Sequence, residues 1–185
     1  MVVAGQVAKS LGVPLDIVVT KKIGAPGEPE FAVGAVTQEG EVVLNKEVVK
    51  LLGIGASYVK SEAARLAREV RERTLRFRGD RPYPSLRGKV VVIVDDGIAT
   101  GSTASAAVKS VRMQAPAAVI VATPVAPAEA VAELSMEADR VVCLATPDPF
   151  FAIGQFYSDF DQVEDEEVRQ LLDESATART RGSPS

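Results

Sequence analysis

Residues 90–103 of this chain, with the sequence VVVIVDDGIATGST, constrain the fold more than any other segment. The first five residues are apolar and β-branched without alternation, which predicts a buried strand of a parallel sheet with helices on both faces. Asp95 and Asp96 follow at once. Both carboxylates are therefore expected at the carboxyl end of a strand, where open α/β sheets bind their ligands.

The residues after the two acids have the composition of an anion-binding loop. Thr100, Ser102 and Thr103 supply hydroxyls around Gly101, just before a helix predicted over 104–113. Such a loop can direct several backbone N–H groups and the positive end of a helix dipole at one phosphate. Two adjacent carboxylates can accept hydrogen bonds from the hydroxyls of a sugar. The alternative is a structural Asp-Asp-Gly turn that leaves a core strand.

The segment resembles the signature of type I phosphoribosyltransferases, enzymes that bind phosphoribosyl pyrophosphate (PRPP). That signature is a hydrophobic run, two acids, two mostly apolar residues and a short Thr/Gly/Ser-rich loop, and every position is filled here. The resemblance implies that Asp95 and Asp96 are the catalytic acids at the ribose hydroxyls, and that Mg²⁺ is the cofactor at the pyrophosphate. It assigns the 5-phosphate to a loop made of Ala99, Thr100, Gly101, Ser102 and Thr103.

A basic pair, Lys21 and Lys22, follows a strand predicted over 15–20 and begins a loop predicted over 21–30. This arrangement resembles the basic dipeptide and mobile loop of orotate-type phosphoribosyltransferases. The resemblance implies that Lys21 and Lys22 contact the pyrophosphate, with Lys22 the stronger candidate. The alternative is a pair of surface lysines at a strand end.

Residues 149–160, PFFAIGQFYSDF, resemble the segment after the last core strand of hypoxanthine-type phosphoribosyltransferases. The resemblance implies that Phe151 stacks on the base and that Gly154 is the glycine that follows. Asp159 matches the aspartate that contacts metal and pyrophosphate only if one residue is inserted. The alternative is that these aromatic side chains pack the segment onto the sheet.

Two departures from the family pattern bear on activity. Ala99 stands where hypoxanthine-type enzymes have an acid–base aspartate, and residues 123–126 lack the lysine that reads a 6-oxo group, so oxopurine salvage is disfavoured. In the family a strand and a pyrophosphate loop precede the first helix, whereas Val2 already falls in that helix. We therefore expect a truncated or misassigned form of a longer protein, the alternative being that the remaining elements fold with help from a partner. The function predicted is phosphoribosyl transfer to an unidentified nucleobase or amine, the alternatives being a non-catalytic PRPP-binding regulatory module and an accessory subunit.

The composition of the chain excludes several classes of function. The chain has 185 residues, no histidine and a net charge of −4, which argues against His-dependent catalysis and general nucleic-acid binding. Its apolar runs are too short for a membrane span, so a cytoplasmic protein is expected. Arginines 65, 68, 71, 73 and 76 are interleaved with glutamates, which indicates a solvated helix face. The family resemblance suggests a homodimer.

Alternating elements predict an α/β fold, doubly wound around a mainly parallel sheet, with a β-hairpin and flexible-loop insertion and a small C-terminal hood element. We expect one domain over 1–174 and a flexible tail over 175–185. The other predicted helices cover 2–11, the stretch from the capping residue Asn45 to Phe77 with interruptions at Gly53 and Gly55, 127–136 and 165–174. The other predicted strands are 31–37 and 41–44, joined at Gln38-Glu39-Gly40, then 117–123 and 140–145.

Overall fold

Two three-stranded sheets organise the chain, whose computed structural model describes residues 1–37, 40–79, 81, 83–161 and 163–181. The antiparallel sheet has the order β1-β2-β3, with β1 Lys21–Ala25, β2 Glu28–Val36 and β3 Val42–Leu44. The parallel sheet has the order β4-β5-β6, with β4 Val90–Val94, β5 Ala118–Val125 and β6 Arg140–Ala145. The helices are α1 Val2–Leu11, α2 Lys46–Leu51, α3 Ala56–Arg78, α4 Ser102–Met113, α5 Ala128–Ser135 and α6 Asp165–Arg181, with a 3-10 turn at Ile153–Phe156.

The parallel sheet carries the signature segment. Strand β4 has the predicted bounds and pairs with β5 from Val90↔Ala118 to Val94↔Ala122, while β6 pairs with the other side of β5. Only β5 is central, and its side chains alternate between buried and half-buried. Strand β4 is half-buried and Val90 is 61% exposed, so the prediction of a fully covered strand was wrong. The reason is its position at the edge of the sheet in the described part of the chain.

The region after the first helix differs from the prediction. Residues 15–20 do not form a strand, and residues 21–30 form the hairpin of β1 and β2 instead of a loop. Gly27, with φ 82°, makes the tight turn between these two strands. The apolar run at 15–20 reflects burial between two cores: Ile17 and Val19 pack into one and Val18 against the other.

The second hairpin was predicted correctly. Strand β2 pairs with β3 in antiparallel register from Gly34↔Leu44 to Val36↔Val42. The predicted connection includes Gln38 and Glu39, which lie outside the described residues. Asn45 caps α2 by accepting a hydrogen bond from Val48 N at 3.1 Å, as its position predicted.

Two hydrophobic cores hold the elements together. One lies between the antiparallel sheet, α3 and α6, and the other between the parallel sheet, α4 and α5. The predicted apolar stripe of α3 is buried at Val59, Ala63, Leu66, Val70 and Phe77, and the last four of these belong to the first core. The sequence-based fold class, α/β with a parallel sheet, an inserted hairpin and a C-terminal element, is confirmed.

The last helix is longer than predicted. Helix α6 runs to Arg181, seven residues past the expected end at Glu174. Val168 and Leu172 fix its first half in the core, and Ser175 Oγ accepts a hydrogen bond from Leu15 N at 2.9 Å. Polar composition therefore did not end this helix. No helix in the described ranges is both long and apolar enough to cross a membrane.

Candidate functional site

The two acids sit on a turn that is pinned at both ends to β5. Asp95 N donates to the Ala122 carbonyl at 3.1 Å, which extends the β4–β5 ladder by one residue. Ile98 N donates to the Val125 carbonyl at 3.0 Å, and between them Asp96 N donates to Asp95 Oδ1 at 3.1 Å. The carboxyl end of β4 therefore presents two neighbouring carboxylates on a fixed backbone, as the sequence predicted.

The electrostatics of this turn favour ligands that donate hydrogen bonds. Burial, and after it the charge of Asp96, raise the pKa of Asp95 to about 6, although the hydrogen bond from the Asp96 N–H acts to lower it. Two like charges this close destabilise each other when both are ionised. Hydroxyl donors placed between the carboxylates would relieve that repulsion, and vicinal sugar hydroxyls have the matching spacing.

The loop after the turn is built to receive an anion. Gly101 adopts a left-handed conformation with φ 75° and is the residue that precedes α4. It is buried against Ala130 and Leu134 of α5, where a Cβ would lie 3.8 Å from their side chains. Gly101, the N-cap of α4, has no side chain to cap the helix, and Ser102 N makes only a long contact of 3.5 Å with Thr100 Oγ1, so first-turn N–H groups can bind a phosphate. Thr100 Oγ1 and Ser102 Oγ lie 3.1 Å apart beside them.

Residues 149–160, which we call the hood segment, contact the acid turn directly. The Tyr157 hydroxyl donates a hydrogen bond to the Asp96 carbonyl. Partial burial raises the pKa of the Tyr157 phenol, and the charges of Asp96 and Asp95 raise it further. The side chain of Ile153 lies against Gly97. The structure thus brings the hood segment and the signature segment together.

Phe151, the candidate for base stacking, is 83% exposed on this hood segment. The neighbouring aromatic rings pack within the segment: Phe150 with Phe156 at a centroid distance of 5.2 Å, and Tyr157 with Phe160 at 5.1 Å. These four rings therefore pack on one another, whereas Phe151 belongs to neither pair; packing of the aromatic side chains onto the sheet stays a prediction. The sequence reasoning missed the roles of Tyr157 and Ile153, for which the aromatic cluster was the only signal.

The two lysines lie on β1, at the start of the first hairpin. Lys21 Nζ is 3.4 Å from Glu69 Oε2 on α3, in an ion pair whose two side chains are each 38% exposed. Exposed pairs of this kind are weak and exchange readily. Strand β1 contacts α4, the helix that begins at the anion loop. A role of Lys21 and Lys22 at a pyrophosphate stays a prediction.

A preformed metal site is not found in the part of the chain that the structure describes, because no three His, Cys, Asp or Glu side chains are grouped there. Asp159, the candidate metal ligand, is exposed. Mg²⁺ commonly binds through one or two carboxylates together with substrate phosphates and water. The described residues thus suit a Mg²⁺ ion carried mainly by a diphosphate ligand, with Asp159 as the predicted protein contact.

This combination of a parallel sheet, an acid pair at a strand end and an anion loop at a helix start defines a phosphoribosyltransferase-like protein. A family model for the phosphoribosyl transferase domain matches residues 1–161. The chain belongs to the phosphoribosyltransferase family.

Its relatives are similar over nearly the whole chain. It is 45% identical over 171 residues to "Putative phosphoribosyl transferase Rv0571c" of Mycobacterium tuberculosis strain H37Rv, and equally to the protein MT0597, of the same description, from strain CDC 1551. These matches cover 92% of this chain and 39% of each relative, so the chain spans well under half of their length. The crystal structure of TT1426 from Thermus thermophilus matches with 46% identity and a TM-score of 0.86, covering 94% of this chain and 82% of TT1426.

Proposed function

We propose that this protein transfers the phosphoribosyl group of PRPP to a nitrogen acceptor, a nucleobase or an amine, and releases pyrophosphate. The observation that carries the proposal is that Asp95 and Asp96 follow β4 and are joined by the short loop 97–101 to the start of α4 at Ser102, where the N-cap Gly101 makes no side-chain hydrogen bond. The acids suit ribose hydroxyls and the helix start suits the 5-phosphate, so one ligand with both groups fits one strand end. The acceptor stays open.

The reaction follows from these contacts. The bond from the anomeric carbon to pyrophosphate oxygen breaks with its electrons on oxygen, and the acceptor nitrogen forms the new bond. Positive charge develops on the ribose ring, and the carboxylates of Asp95 and Asp96 stabilise it while they hold the hydroxyls. Mg²⁺, when bound with the diphosphate, neutralises charge on the leaving group. Lys21 and Lys22 are the proposed protein cations for that group.

The acceptor side is shaped by Phe151 and Ala99. The exposed ring of Phe151 offers a flat apolar surface for a planar acceptor. Ala99 offers no group that moves a proton, so it does not take the proton of the acceptor nitrogen. The same residue favours the second candidate function, a module that binds PRPP without turnover.

The proposal also includes a cytoplasmic location and a homodimer.

The deciding experiment incubates the protein with PRPP, Mg²⁺ and a panel of nucleobases and amines while pyrophosphate release and product mass are followed. We expect release with at least one acceptor and none from D95N/D96N, which keeps the side-chain shapes but removes both charges. The matched control is Asp173→Asn, which neutralises an exposed carboxylate of α6 that pairs with Arg81. Binding without release for every acceptor would favour the regulatory module, and no binding at all would refute both.

A further inference from the structure

Tyr157 makes a long-range contact with the backbone of the acid pair. Its hydroxyl donates to the carbonyl of Asp96, 61 residues earlier in the chain. The Tyr157 ring is half-buried and packs on the Phe160 ring, with centroids 5.1 Å apart. This ring packing restricts the position of the Tyr157 hydroxyl. This hydrogen bond fixes one peptide of the turn that carries both carboxylates.

Gly97 and Ile153 form a second contact between the same two segments. A Cβ atom built on Gly97 would lie 2.3 Å from Ile153 Cγ2 and 2.8 Å from Ile153 Cγ1. No real Cβ atom tolerates such distances, so the 3-10 turn approaches the acid turn as closely as it does only because residue 97 is glycine. The fit is steric and does not depend on the Tyr157 hydroxyl.

Glycine at position 97 also leaves the backbone of the turn free to adopt several conformations, so contacts with other residues are needed to hold one of them. The backbone after Asp96 is anchored next at Ile98, whose N–H bonds to the Val125 carbonyl at 3.0 Å. Between those points, Tyr157 holds the Asp96 carbonyl and Ile153 packs against Gly97. We infer that Tyr157 is a positioning residue, which orients Asp96 for the sugar through this peptide and joins the phosphoribosyl site to the acceptor-side wall.

This inference rests on the proposed function and adds a coupling to it. Phe151 belongs to the same hood segment as Tyr157, and the Phe150–Phe156 ring pair, at 5.2 Å, joins the neighbour of Phe151 to the neighbour of Tyr157. A planar acceptor on Phe151 and a sugar on Asp96 would then contact one rigid unit. Any change that one ligand makes in the affinity for the other is matched in the reverse direction, because coupling between two sites is reciprocal.

The test compares two tyrosine variants that lose the same kind of hydrogen bond. Tyr157→Phe removes the bond to Asp96, whereas Tyr58→Phe removes a bond to the Gly24 carbonyl at 3.0 Å on β1. Ribose 5-phosphate is titrated by calorimetry, since it contacts the acids and the anion loop but carries no pyrophosphate for the lysines. We expect roughly fivefold weaker binding for Tyr157→Phe and unchanged binding for Tyr58→Phe, with similar small losses in Tm.

A second pair of variants tests the steric contact. Gly97→Ala should weaken ribose 5-phosphate binding by roughly tenfold or more, because the new methyl group displaces the hood segment. Adding Ile153→Ala removes the clashing Cγ atoms and should restore part of the affinity. Equal affinity of the wild type and Tyr157→Phe, or no rescue by Ile153→Ala, would overturn this inference alone. Failure of the wild-type protein to bind ribose 5-phosphate would overturn the proposed function together with it.

Discussion

Asp95 is the residue whose environment is most altered by the fold. Burial and the neighbouring charge of Asp96 raise its pKa from 3.8 to about 6, so the folded protein holds a proton there that the unfolded chain releases. A folded state that binds more protons loses stability as pH rises. Asp95 therefore lowers the stability of the protein progressively from about pH 4 to about pH 6, and fully above that.

This electrostatic cost predicts that Asp95→Asn stabilises the protein at neutral pH. The gain should be about 1–3 kcal/mol at about pH 7 and should shrink as pH falls through about 6 towards about 4, because the wild-type carboxyl becomes neutral as well. Urea denaturation of both proteins across this pH range measures it. A free-energy difference that does not vary with pH would contradict the raised pKa.

At the same scale, the acid pair and the anion loop could be predicted from sequence, whereas the role of Tyr157 could not. The continuous apolar, β-branched run of residues 90–94 places Asp95 and Asp96 at the end of β4 without reference to any other element. The partner of Tyr157 is a backbone carbonyl, which has no sequence signature, and the contact spans 61 positions. Such contacts depend on how the elements pack.

Among the elements, the C-terminal end of α3 holds residues 15–20, the segment that was predicted to be a strand and is not one. Arg78, the last residue of α3, is only 5% exposed and pairs with Asp16, just before Ile17. Its guanidinium lies 4.0 Å from the centre of the Tyr83 ring. A buried cation with these two partners fixes residues 15–20 against the core without sheet pairing.

We predict that Arg78→Met destabilises the protein by about 3 kcal/mol, because Asp16 loses its partner in a partly buried site. The control is Arg76→Met on the same helix, whose pairing with Asp165 at 2.9 Å is exposed and should contribute less than about 1 kcal/mol. Thermal and urea unfolding compare the two. Equal losses would show that burial of the Arg78 pair does not matter.

The elements also show where sequence patterns lose information. The boundaries of α1, β4 and β6 agree with their predictions because caps, glycines and charges mark them. The strand expected over 15–20 failed because an apolar run reports burial and cannot report a hydrogen-bonding neighbour. The loop expected over 21–30 failed because Pro26 and Gly27 form a two-residue turn, and the residues on either side pair as strands.

On the scale of the whole molecule, the candidate site lies on the parallel sheet and its wall comes from the chain beyond β6. The order β4-β5-β6 sets the acid turn beside the end of β5, and the segment that leaves β6, on the other side of β5, brings Ile153 against Gly97. The antiparallel sheet belongs to the other core and bears Lys21 and Lys22. The proposed contacts with the ribose and the 5-phosphate therefore lie on the parallel sheet, and the proposed contacts with the pyrophosphate lie on the antiparallel sheet.

The central claim is that the turn at Asp95 and Asp96 binds the sugar of PRPP. It is tested most directly by calorimetric titration of PRPP with Mg²⁺ into the wild-type protein, D95N/D96N and the control Asp173→Asn. We predict saturable binding at one site per chain, unchanged in the control and weakened by on the order of a hundredfold or more in the double variant, since two charge-assisted hydrogen bonds are lost. Undiminished binding by D95N/D96N would contradict the claim.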